Sequence, residues 1–81
     1  MRRMSMIVVK AKFDAEAGVW FVESSDMPGL NVEAATVEEF SRQVPLAIAD
    51  LIEASDDSGG EYDVPIEIIA HASARARSAG A

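Results

Sequence analysis

The 81-residue sequence contains no cysteine. That excludes disulfides, thiolate zinc sites and iron–sulfur clusters. Histidine is nearly absent as well: His71 stands alone, so a two-histidine metal site is excluded, although a Ser-His-Asp triad is not excluded by count. No apolar run approaches the roughly 18 residues that a membrane-spanning helix needs. The run Ile7-Val8-Val9 is too short for the core of a secretion signal, although Met1-Arg2-Arg3 before it is basic. With no cysteine and no export signal, the expected location is cytoplasmic. At this length folding buries only about 60–65% of the unfolded surface, so the core is thin. Self-association is the remaining route to more burial, and a homo-oligomer is expected.

Positive charge is scarce too. Seven Lys and Arg face fourteen Asp and Glu, for a net charge of −7. The imbalance is uneven along the chain. Arg2, Arg3, Lys10 and Lys12 precede every acid, Arg75 and Arg77 follow every acid, and Arg42 is the one base between them. A body this acidic repels phosphate backbones, which argues against direct nucleic-acid binding. It suits a basic protein partner, and equally it keeps a small domain soluble.

What is present reads as one α+β domain over residues 1–71. Met6–Phe13 alternates as a strand, with Ile7, Val9, Ala11 and Phe13 on one face. Gly18 closes a longer hairpin loop with a bulge, and Val19–Glu23 resumes as an antiparallel partner. In Met27-Pro28-Gly29-Leu30, proline presets the first central φ and glycine supplies the positive second one, the signature of a type II turn. Asn31–Ala34 is a short third strand. Thr36-Val37-Glu38-Glu39 is a capping box that opens a helix. Val37, Phe40, Val44, Ile48, Leu51 and Ile52 give that helix one apolar face. Pro45 removes a backbone donor within it, so a kink or two shorter helices are expected. Asp56–Glu61 is a polar exit, and Tyr62–Ala70 is the last strand, with Pro65 near its start or on an edge. Residues 72–81 hold only Ala, Ser, Arg and Gly and read as a disordered tail.

The order β-β-β-α-β makes a two-layer sandwich with one sheet face under the helix. The other face is expected to carry Met6, Val8, Trp20 and Val22, an apolar patch of the kind that marks an interface. Little else offers chemistry. A metal-dependent hydrolase would need Asp14, Asp26 and Glu67 to converge. His71 ends a strand with no nucleophile at an informative spacing, so it reads as a solvated strand end. The glycines at 59 and 60 follow a helix and lack a lysine, unlike a phosphate-binding loop. A single-strand nucleic-acid site would need Lys10, Lys12 and Trp20 on one face.

Phe13–Trp20, the Asp26-Met27-Pro28-Gly29 turn, Ala35–Glu39 and Val64–Ala70 together resemble the N-terminal domain of HicB-type antitoxins, over residues 6–71. They are more similar still to a branch of short, stand-alone HicB-like domains. The resemblance implies a partial ribonuclease-H-like fold and a non-enzymatic module that binds and blocks a small basic ribonuclease toxin of the HicA type. The DNA-binding module usual in such antitoxins is not carried over, because residues 72–81 are too few. Nuclease activity is not carried over either, since the inward strand positions hold Ile7, Val9 and Ala11. No cofactor is implied. The candidate partner-binding residues are Trp20, Glu23, Asp26, Met27, Pro28, Gly29 and Leu30. The alternatives are a stand-alone homo-oligomer that binds nucleic acid or a small molecule, or a degenerate metal-dependent hydrolase.

Overall fold

A computed structural model describes residues 2–3, 5–55 and 62–80. The elements in chain order are β1 (Arg2–Arg3), β2 (Ile7–Asp14), β3 (Val19–Ser25), β4 (Glu33–Ala34), α1 (Val37–Ser55), β5 (Tyr62–Asp63) and β6 (Ile66–His71). Four strands form one mixed sheet in the order β4-β3-β2-β6. β2 lies antiparallel to β3 and parallel to β6, and β4 pairs antiparallel with β3. The helix packs on one face of that sheet. The fold is therefore α+β, as the order of its elements predicts.

Alternation places the core. Ile7, Val9 and Ala11 of β2 are buried and face the helix. Phe40, Val44, Ile48 and Ile52 descend the helix at intervals of four and meet them. Leu30, Val32 and Ala34 close the side between β3 and α1. Each fully buried Val, Ile or Phe among these contributes about 1.5–3 kcal/mol of hydrophobic stabilisation. Val37, expected on the apolar face, is 37% exposed at the first turn.

The helix begins where its cap predicts. Thr36 Oγ1 accepts from Glu39 N at 3.1 Å. Only half of the capping box forms, because the Glu39 carboxylate turns down the helix instead. It accepts from Gln43 Nε2 at 3.0 Å and from Arg42. Both bonds hold the Glu39 carboxyl below the ordinary Glu range, the Gln43 contact most strongly. The helix is one element rather than two, and it runs through Pro45, which sits exposed between buried Val44 and Ile48. At the far end the Ser55 hydroxyl donates to the carbonyls of Leu51 and Ile52 at 3.0 and 3.2 Å.

Three strand assignments change. Trp20 and Val22 lie on the helix face, not the open one: Trp20 pairs with Phe13 and Val22 with Ala11. The Phe13 and Trp20 rings meet at 5.4 Å between centroids and 57° between planes. The cause is the hairpin loop. Asp14 pairs with Val19, so four residues connect the strands, and an even loop sets the opposite phase to a bulged one. Asp14 holds that loop, its Oδ1 accepting from Glu16 N at 3.0 Å, while Gly18 takes a φ of 71°.

The last strand is also split, into β5 and β6 on either side of Val64-Pro65. Finally, β1 pairs parallel with β5 in the register Arg3 to Asp63, while β2 and β6 pair Ile7 to Ile66. The short pair forms a two-stranded sheet of its own. Residues 72–80 have no regular secondary structure and are exposed. The Asp56–Glu61 exit lies outside the described residues.

Candidate functional site

The Asp26–Leu30 turn forms as a type II turn. Gly29 has a φ of 82° and Leu30 N donates to Met27 O at 3.4 Å. Asp26 has a structural task that its sequence neighbourhood does not reveal. Its backbone N donates to Val8 O at 3.1 Å, and its Oδ2 accepts from Val8 N at 2.9 Å. The side chain therefore replaces a strand carbonyl and lengthens the β2–β3 ladder by one step. Ser25 Oγ accepts from Met27 N at 2.9 Å and sets the entry into the turn. Met27 then lies half-buried against the core, and Leu30 is buried within it. Met27 and Pro28 also line an open apolar recess of about 400 Å³ with Leu51, Ala54 and Ser55.

The seven candidate residues consequently divide. Leu30 belongs to the core, Asp26 to the ladder, and Gly29 to the turn. Trp20 packs at the rim of the covered face. Pro28 is exposed and Met27 half-exposed beside the recess. Glu23 alone projects from the open face of the sheet. It gets there through a bulge: Lys10 pairs with Ser24 and Ala11 with Val22, leaving Glu23 as the extra residue.

Around Glu23 the open face carries a charge cluster. His71 Nε2 lies 2.8 Å from Glu23 Oε1, and Lys12 Nζ lies 4.0 Å from Glu23 Oε2. The His71 hydrogen bond, then the charges of His71, Lys12 and Lys10, hold the Glu23 carboxyl below the ordinary Glu range. Lys12 and His71 are register partners on β2 and β6. His71 is thus a hydrogen-bonded member of the open face rather than only a solvated strand end. No local pattern could have shown this, because the two partners lie 48 residues apart. Apolar side chains share the face. Val8, Val19 and Phe21 are half-buried and Ile69 is 40% exposed. Phe21, not Trp20, stands opposite Lys12.

The carboxylates required for a hydrolase do not converge. Asp14 and Val8, the residue Asp26 holds, sit at opposite ends of β2, about 20 Å apart at strand rise. Among the described residues no group of three His, Asp or Glu could hold a metal ion. No helix among them is long and apolar enough to cross a membrane.

The sequence profile of a family described as "Domain of unknown function (DUF1902)" matches residues 6–79. The chain belongs to the DUF1902 family. A solved structure similar to this DUF1902 chain is that of a hypothetical protein from the extremely thermophilic bacterium Thermus thermophilus. It is 35% identical, the match covers 93% of this chain and all of that one, and the TM-score is 0.59. No curated protein matches the chain. The DUF1902 match reaches past β6 into the irregular residues 72–79.

Proposed function

We propose that this DUF1902 chain is a non-enzymatic protein-binding module that engages a small basic partner through its acidic surface. The role is antitoxin-like, in line with its resemblance to HicB-type N-terminal domains, and the partner would be a small basic ribonuclease toxin of the HicA type. The same resemblance favours a partial ribonuclease-H-like fold.

One observation carries the reading. Asp14, Glu16, Glu33, Glu38, Asp50, Glu53, Asp63 and Glu67 are all exposed, and the single base in their span, Arg42, is paired with Glu39. That leaves a surface whose field attracts and orients a cationic protein. Glu23 and the Met27–Pro28 corner are the candidate contacts that the fold leaves accessible.

The test is titration of the folded chain with a HicA-type toxin at low and physiological salt, with the toxin's ribonuclease activity followed alongside. Binding that weakens as salt rises, together with loss of ribonuclease activity, supports the proposal. Charge reversal at Glu33 and Glu38 should then weaken binding while the fold is retained. Absence of binding at low salt would overturn it.

A further inference from the structure

We propose that two copies of this chain join edge to edge through β6, antiparallel about a twofold axis at Ile69, so that their sheets become one. The two ends of the sheet differ. β4 is a two-residue edge, whereas β6 presents six residues whose outer side pairs with no described residue. Backbone direction follows from the ladder. Ile7 N donates to Pro65 O at 2.9 Å, and Ile7 registers with Ile66. Parallel alternation then turns the backbone groups of Glu67, Ile69 and His71 towards β2, and those of Ile66, Ile68 and Ala70 outward. Natural edges are blunted by lysine, internal proline or a bulge. The sequence Ile-Glu-Ile-Ile-Ala-His has no lysine and no proline, and its register against β2 is unbroken.

The side chains select the occupant and the register. Glu67 and His71 flank Ile69 at equal distance on the open face, and a carboxylate can accept a hydrogen bond from an imidazole N–H. An antiparallel copy centred on Ile69 sets each Glu67 opposite His71 of the second copy. It also sets the two Ile69 side chains together as a non-hydrogen-bonded pair, where side chains approach most closely. Ile68 and Ala70 then exchange outward hydrogen bonds across the axis. A shift that centres the pairing on Ile68 would instead set Glu67 against Ile69 and lose both carboxylate–imidazole pairs. His71 can serve both sides, with Nε2 on Glu23 of its own chain and Nδ1 towards the second copy. An edge of six residues is small beside the roughly 1,200 Å² of a stable interface, so the dimer depends on concentration. The pairing is independent of the antitoxin-like role.

Sedimentation of the full chain from micromolar to near-millimolar concentration tests the inference. The expected result is a shift from monomer to dimer. Ala70→Pro removes an outward donor and no internal ladder bond, and should keep the chain monomeric with an unchanged circular dichroism spectrum. Glu67→Lys should weaken the dimer about tenfold across its two symmetric pairs. A wild-type chain that stays monomeric throughout, or a dimer indifferent to Ala70→Pro, would overturn the proposal. Should Ala70→Pro not fold, the surface variant Glu67→Lys decides, and an unchanged dimer there is equally fatal.

Discussion

The two faces of the sheet are made from the same strands by simple alternation, yet they differ in kind. The covered face holds Ile7, Val9, Ala11, Val22 and Trp20 against a helical row of Phe40, Val44, Ile48 and Ile52. The open face mixes Val8, Phe21 and Ile69 with Lys10, Lys12, Glu23, Glu67 and His71. On the first, Ile7, Val9 and Ala11 are buried by apolar contact, so its residues serve stability. On the second, each apolar side chain has a charged neighbour, so the face keeps water. Apolar packing and solvated charge are therefore separated by the pleat of a strand.

Substitutions can break this comparison. Phe40→Ala removes a fully buried ring and should cost about 3–5 kcal/mol in denaturant unfolding. Ile69→Ser, on the open face and 40% exposed, should cost only about 1 kcal/mol of monomer stability. Equal costs for the two would show that the faces are not distinct in this way.

Asp26→Ala should cost about 0.5–1.5 kcal/mol, since Val8 N loses its acceptor at an exposed site, and Asp26→Asn should recover much of that because an amide oxygen still accepts. Gly29→Ala should cost about 1 kcal/mol through backbone strain alone. A methyl group there would meet only Leu51 Cδ2 at 3.9 Å, an ordinary contact.

The smallest effect is that of pH at Glu23. Its lowered pKa means that the folded state favours the carboxylate, so its contribution is present above the ordinary Glu range and lost as pH falls through the lower folded value. Thermal melts of wild type and Glu23→Gln should therefore differ at neutral pH and converge in acid. A gap that widens on acidification would reverse the sign of this interaction.

Local chemistry made several of these features readable from sequence. Thr36 announces its cap, Pro28-Gly29 announce their turn, and the fourfold spacing from Phe40 to Ile52 announces the buried helix face. Relations between strands were less readable. The faces of Trp20 and Val22 depend on whether the hairpin loop has an odd or even number of residues, and Asp14 to Gly18 is compatible with either. The bulge at Glu23 depends on the partner strand, and so does Asp26's bond to Val8. The Glu23–His71 contact needs β6 to arrive on the far side of β2 in one register. Propensity fixes what each segment is, whereas register fixes which residues meet.

The parallel pairing of β2 with β6 also sets an order of events. The β2–β3 hairpin is local and can form as soon as both strands exist, on the microsecond scale typical of hairpins. The second neighbour of β2 comes only after the whole helix, since Ile7 waits for Ile66. Long loop closure of that kind slows folding. During synthesis the central strand would keep one side unsatisfied until the helix and β6 had followed it. Throughout that interval β2, rather than β6, is the exposed edge, and a chaperone or a neighbouring nascent chain would meet it there first.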